Sequence, residues 1–211
     1  MLNLKEKKSS KPVFIPARLA FAFDVYSLGS KFLGNDANGR LQFDTNYTEM
    51  GKLVHDLKFY QHRLTVGQIL KLVNQIIKLL LLNEQFMGLL KDVGVIIPVP
   101  PSKKIRSVQP TFAVAQAISN VFGIPSRNDF VHSSNTEEVK GMDVIDRYDI
   151  VKKGLRITSD AIMDKKTKIL LLDDVLDSGS TIKAVLDTLA GAGYEDISFF
   201  TLTIKRTSGL E

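Results

Sequence analysis

The chain has 211 residues, 44% of them hydrophobic and 24% charged, which suits one α/β domain with an elaboration, or at most two small ones, and excludes a disordered chain. It has no cysteine, which excludes disulfides, cysteine–zinc sites and a thiol nucleophile and fits a reducing compartment. The formal net charge of +5 is compatible with anionic ligands, either phosphate metabolites or nucleic acid, and equally with ordinary solubility.

The opening MLNLKEKKSSKP is charged and has no apolar core, so it reads as a tail and not as a secretory signal. PVFIPARLAFAFDVYSLG (12–29) mixes β-formers with two prolines and predicts an irregular strand region. GNDANGRLQFDT (34–45) carries Asn-Asp and Asn-Gly turn signals consistent with a hairpin. From TEMGKLVHDLKF (48–59) the pattern turns helical, with Thr48 as N-cap and Leu53, Val54 and Leu57 on one face. Residues 65–82 predict a long helix and 84–91 a shorter one. The most apolar run, IIKLLLLNEQFMGLL (76–90), is interrupted by Lys78, Asn83, Glu84 and Gln85. It falls short of the roughly 18 apolar residues of a membrane span and reads as a buried helix. A soluble, cytoplasmic protein is therefore expected.

VGVIIPVP (93–100) is short, apolar, β-branched and stopped by prolines, as a buried parallel strand is. QPTFAVAQAISNVFG (109–123) predicts a helix entered by a proline and left at Gly123. NDFVHSS (128–134) predicts a further strand, and residues 135–150 a polar loop with a helical turn. TKILLLD (167–173) is a second buried strand, 179–192 a helix ending in AGAG, and DISFFTLTIKR (196–206) a strand, with Phe199 and Phe200 in its core. Alternating strands and helices over 93–206 argue for a mainly parallel sheet. We divide the chain into an N-terminal tail and extension, 1–47, and a core, 48–211.

The stretch KILLLDDVLDSGSTIKAVLDTLAGAGY (168–194) carries the chemistry. In an open parallel sheet, ligands bind beyond the carboxyl ends of the strands, where Asp173 and Asp174 fall. The chain then passes through Asp177, Ser178, Gly179, Ser180 and Thr181 into a helix. Backbone N–H groups at a helix N-terminus attract an anion, hydroxyls add donors, and a glycine allows close approach. The loop therefore suits a phosphate. The carboxylates suit hydroxyl groups or a divalent cation beside it. Paired aspartates after an apolar strand also occur in phosphoacceptor receiver domains, but early in the domain, and only 37 residues follow Asp174 here. No G-x-x-x-x-G-K-[ST] phosphate loop occurs.

Residues 169–181, ILLLDDVLDSGST, resemble the thirteen-residue motif of type I phosphoribosyltransferases, enzymes that bind 5-phosphoribosyl-1-pyrophosphate (PRPP). LVHDLKF (53–59), VIIPVPPSKKIR (95–106) and GAGYEDISFFTLTIKR (191–206) resemble segments of the ComF-like branch. The chain departs from that branch in lacking a cysteine-rich zinc element and in a thinner basic stretch, Lys103, Lys104 and Arg106. The resemblance implies a type I phosphoribosyltransferase fold: a twisted, mainly parallel sheet flanked by helices, with an N-terminal hood. It implies that Asp173 and Asp174 hold the ribose 2′- and 3′-hydroxyls, with Mg²⁺ bound directly or through water. It gives Ser178, Gly179, Ser180 and Thr181 to the 5′-phosphate, and Pro101, Ser102 and Lys103 to the pyrophosphate. Asp177 corresponds to a general acid/base of the 6-oxopurine enzymes, or else is a helix N-cap.

His55 and Lys58 either point at the site or form a surface pair. Residues 135–150 would be the lid; His62 and His132 are given no role. The activity implied is a Mg²⁺-dependent transfer of phosphoribosyl from PRPP to a nitrogenous base, with release of pyrophosphate. The alternatives are a non-catalytic PRPP or nucleotide sensor, or a ComF-like part in DNA uptake, nucleic-acid metabolism or defence. Relatives of the fold form homodimers. No helix-turn-helix or basic-aromatic stripe supports direct nucleic-acid binding. The hood, in residues 1–60 or so, would choose the acceptor.

Overall fold

The computed structural model describes residues 2–3, 17–101, 108–134, 144–158 and 163–205. Its central sheet grows from apolar runs buried on both faces. The strands β1 (Leu2–Asn3), β2 (Leu19–Val25), β5 (Val95–Pro98), β8 (Ile169–Leu176) and β9 (Ile197–Ile204) lie in the order β1-β2-β9-β8-β5. All neighbours run parallel except β1 against β2. Successive residues of a strand point to opposite faces, so Ile169 and Leu171 enter one core while Leu170 and Leu172 enter the other. On one face lie α1 (Glu49–His55), α2 (Val66–Leu81), α3 (Glu84–Leu90) and α4 (Pro110–Phe122). They bury Met50, Val54, Ile76, Leu80, Phe86 and Ile118 against the sheet. On the other face, α6 (Ser180–Gly191) buries Ile182, Val185, Leu186 and Leu189. The expected parallel sheet flanked by helices is therefore present, and Phe199 and Phe200 are fully buried in it.

The helix ends follow the capping residues. Thr48 accepts the Gly51 N–H at 3.0 Å, Thr65 and Gln68 form a capping box, Pro110 opens α4, and Gly123 leaves it at φ +68°. The expected hairpin joins β3 (Ser27–Asn35) to β4 (Leu41–Tyr47). Asp36 Oδ1 accepts the N–H groups of Asn38 and Arg40, both at 2.8 Å, to close its turn. Among the described residues no single helix is long and apolar enough to cross a membrane; α2 and α3, which pass that test only as a pair, meet at 92°.

Four expectations are corrected. The strand region around 12–29 is not irregular where it is described: Leu19–Val25 is a regular strand paired with β9 in the central sheet. The strand expected at 128–134 is β6 (Val131–Ser133), which pairs antiparallel with a strand not foreseen, β7 (Leu155–Ile157), outside the central sheet. Of the segment 135–150 read as a loop with a helical turn, 135–143 lie outside the described residues and the rest begins an eleven-residue helix, α5 (Val144–Gly154), packed along α6. Tyr148 and Val151, three apart on one face of α5, pack into the α6-side core, and Leu155 joins them from the start of β7. A helix was expected over 48–59, but after His55 the chain widens into a π turn (Asp56–Tyr60) and tightens into a 3₁₀ turn (Gln61–Arg63).

Helix α1 approaches the backbone between β2 and β3 so closely that a Cβ at Gly51 would lie 1.9 Å from the Tyr26 carbonyl oxygen. Gly51→Ala is expected to destabilise the protein by about 2 kcal/mol or more in urea unfolding, because the obstacle is backbone and cannot swing aside. Gly88→Ala, whose Cβ would meet nothing within 4 Å, is expected to stabilise α3 by about 0.5 kcal/mol.

Candidate active site

Strand β8 changes character at one step. Ile169 to Leu172 are buried among side chains of both cores, and the next two positions are aspartates at the carboxyl end of the sheet. Beside them β5 ends in the proline-rich turn through Pro100 and Pro101, and α4 begins at Pro110. Together these segments enclose a cleft of about 110 Å³ lined by Asp173, Asp174, Thr181, Pro101, Gln109 and Thr111, with Lys58 on its wall. Of the residues picked out from the sequence, the cleft gathers Asp173, Asp174, Thr181, Pro101 and Lys58. Ser102, Lys103, Lys104 and Arg106 lie outside the described residues.

The two carboxylates are treated differently. Asp174 is 6% exposed and takes an ion pair from Lys58, Nζ to Oδ1 at 2.8 Å. Its carbonyl oxygen accepts the Thr203 hydroxyl at 3.1 Å. Asp173 Oδ1 accepts the Asp174 N–H at 2.9 Å, and among the described residues Asp173 forms no ion pair. Burial first, and then the negative charge of Asp174, push the Asp173 carboxyl up to about 7. A divalent cation would relieve both effects, so this pair fits Mg²⁺ on its chemistry. Among the described residues, no group of three or more His, Cys, Asp or Glu side chains could hold a metal by itself.

Lys58, which reaches Asp174, sits in the π turn that follows α1, where the wider winding changes the angular spacing of residues 56–60 from that of an α-helix. His55 and Lys58 are therefore neither a surface pair nor both aimed at the carboxylates. The His55 ring packs 4.5 Å from Tyr47, 5.1 Å from Phe59 and 5.3 Å from Tyr60, between centroids. Burial there lowers its pKa.

The loop after β8 enters α6 through Gly179 at φ +80°, which serves as N-cap without any side-chain capping bond. The first N–H groups of α6 are thus not satisfied by a capping side chain. Ser178 Oγ and Ser180 Oγ stand 3.2 Å apart, and Ser180 is buried. Asp177 is not the cap: its side chain is 60% exposed and pairs with Lys205 at 3.4 Å. The sequence reading missed Arg147 of α5, whose Nη1 donates to Ser178 Oγ at 3.3 Å, and Gln109 and Thr111 on the cleft wall. The proline at a helix start, beside a strand that ends in prolines, was the available signal for the last two.

Residues 107–211 match the phosphoribosyl transferase domain. That stretch contains α4, β8, the loop after it and α6. No curated protein sequence matches the chain. Among solved structures the chain resembles adenine phosphoribosyltransferase from Thermoanaerobacter pseudethanolicus, at 15% identity over 84% of this chain and 95% of that one, with a TM-score of 0.43. It also resembles the Saccharomyces cerevisiae enzyme complexed with an imino-altritol bisphosphate and adenine, at 12% identity over 85% of each chain and a TM-score of 0.43. The Leishmania tarentolae enzyme matches at 14% identity over 75% of this chain and 88% of that one, with the same TM-score of 0.43.

Two outcomes are expected from the electrostatics. Lys58→Ala leaves Asp174 buried without its counter-charge and should cost about 3 kcal/mol in urea unfolding, whereas Lys58→Met with Asp174→Leu should lie within about 1 kcal/mol of wild type. Asp173 has a folded-state pKa above its unfolded one, so its contribution to stability is complete below about pH 4 and is lost as the pH rises toward 7. The stability difference between Asp173→Asn and wild type should therefore grow in favour of the variant over that window and level off above it, as read by denaturant titrations at several pH values.

Proposed function

From the phosphoribosyl transferase domain matched over residues 107–211, we propose that the protein is a Mg²⁺-dependent phosphoribosyltransferase, transferring the phosphoribosyl group of PRPP to a nitrogenous base. The observation that carries this reading is the meeting, at the end of β8, of a carboxylate pair with a hydroxyl-bearing helix N-terminus. A sugar phosphate needs both: acceptors for its ribose hydroxyls and donors for its phosphate. Asp173 and Asp174 take the 2′- and 3′-hydroxyls, and Ser178, Gly179, Ser180 and Thr181 take the 5′-phosphate. The turn through Pro101, Ser102 and Lys103 takes the pyrophosphate. Lys58 belongs to the Leu57-Lys58-Phe59 triplet of the ComF-like resemblance, and its hold on Asp174 supports a role for that segment in the site.

The C1–O bond to pyrophosphate breaks with its electron pair leaving on the pyrophosphate, and C1 passes through an oxocarbenium-like state before the C1–N bond forms. Asp173 and Asp174 hold the ribose and place negative charge near that centre. Asp177, exposed at the loop and steadied by Lys205, receives the proton that the acceptor nitrogen loses. Mg²⁺, when bound, neutralises charge on the departing pyrophosphate. On the acceptor side stand Tyr26, Tyr47, His55 and Phe59. The Tyr26 hydroxyl has its pKa raised by burial, by Tyr47 and, further, by the charge of Asp174, which supports placing this ring cluster beside the ribose. Aromatic rings suit a planar base.

Pyrophosphate release from Mg-PRPP, measured with a panel of purine and pyrimidine bases and with none, tests the proposal. Release that requires one base, falls about 10²-fold or more in Asp177→Ala and disappears in Asp173→Ala/Asp174→Ala supports it. Tight PRPP binding without release under any base would assign the site to a regulatory PRPP sensor instead.

A further inference from the structure

The loop Ser178–Thr181 offers a phosphate only partial positive charges, from backbone N–H groups and hydroxyls. The structure sets a full charge beside them. Arg147, in the first turn of α5, extends to Ser178 and donates from Nη1 to its hydroxyl at 3.3 Å. A guanidinium carries five N–H donors in a planar fork, and a hydroxyl uses one. Arg147 Nε is buried and has no hydrogen-bond partner among the described residues, and no described carboxylate pairs with this side chain. A buried donor of a charged group left without an acceptor is unfavourable, and an anion arriving at the loop would correct it.

Arg147 is also held where it is. The next residue, Tyr148, donates its hydroxyl to Asp187 Oδ2 at 2.5 Å, and Lys183 Nζ donates to the same oxygen at 2.5 Å. Lys183 Nζ stands 4.5 Å from the centre of the Tyr148 ring. One turn further along α5, Lys152 Nζ donates to Thr188 Oγ1 at 3.0 Å. These bonds set the register of α5 on α6, so the Arg147 side chain runs along α6 toward its N-terminus. Ser178 and Ser180 are in mutual contact there, and the Arg147–Ser178 bond extends the pair into a chain of donors that a tetrahedral oxyanion can enter.

We propose that Arg147 is a ligand of the 5′-phosphate, gripping a phosphate monoester in two parallel N–H···O bonds while Ser178 exchanges its bond with Arg147 for one to the phosphate. The proposal rests on the phosphoribosyltransferase reading and adds to it a cation from outside the loop. Substrates and products that carry a 5′-phosphate, PRPP and the nucleoside monophosphate alike, would share the contact. Bidentate recognition distinguishes arginine from lysine, which offers only a point charge.

The test is calorimetric titration of the full chain with ribose 5-phosphate, Mg-PRPP and Mg-pyrophosphate, in wild type, Arg147→Gln and Arg147→Lys, with thermal melts alongside. Arg147→Gln is expected to weaken ribose 5-phosphate and PRPP by about tenfold or more, to leave pyrophosphate binding unchanged, and to melt at the wild-type temperature. Arg147→Lys should recover part of the loss. Wild-type affinity for ribose 5-phosphate in Arg147→Gln would overturn the proposal while leaving the phosphoribosyltransferase reading in place. An equal loss of pyrophosphate binding would overturn it too, by showing a general disturbance of the site. A wild-type protein that binds neither PRPP nor ribose 5-phosphate would remove both.

Discussion

The ion pair between Lys58 and Asp174 joins two parts of the molecule that come from distant stretches of chain. A carboxylate at the end of an apolar strand, with a second carboxylate next to it, is unfavourable unless positive charge is brought to it. The chain brings it from the helical layer, and several local features serve that delivery. Gly51 lets α1 lie against the backbone at Tyr26, and the π turn after α1 bears Lys58. The 3₁₀ turn that follows carries Gln61, whose Oε1 accepts the Val108 N–H at 2.7 Å, just ahead of α4. One short segment, 56–61, thus contacts both Asp174 and the entrance of the helix that forms the opposite wall of the cleft.

The division of charge between the two aspartates follows from this. Asp174 has its cation in Lys58, whereas Asp173, half-buried beside a negative neighbour, forms no ion pair among the described residues. Among the described residues, Asp173 therefore has no cation of its own, while positive charge is supplied near Ser178, where Arg147 arrives from the other face of the sheet. A ligand with hydroxyls and a cation at one end and a phosphate at the other matches that uneven distribution.

The central layer was legible because its signals are strong and local. Runs such as VIIP and ILLL can be strands only when both faces are covered, and Thr48, Pro110 and Gly123 mark helix ends by backbone chemistry alone. The carboxylates and the glycine-hydroxyl loop were legible for the same reason, since strand, acids and loop are contiguous. Three things were not. The π turn leaves no composition signal, so a simple three-residue spacing wrongly put His55 and Lys58 on one face. Helix α5 was obscured because the apolar positions it packs, Tyr148 and Val151, straddle the edge of a polar stretch. Arg147 stood unremarked among polar neighbours. Its meaning depends on a contact with Ser178, 31 residues away, that no pattern along the chain reveals.

The position of β9 has a consequence for how the molecule is made. It is the last of the described strands, yet it lies between β2 and β8, and the ion pair that closes its start, Arg18 with Asp196, spans 178 residues. β2 therefore lacks the partner that covers this edge until a strand more than 170 residues further along the chain reaches it. Such long-range pairing is slow to form and exposes strand edges meanwhile. The sheet that bears the site therefore depends on a pairing of high sequence separation, the kind of contact that slows folding and leaves strand edges uncovered until it forms.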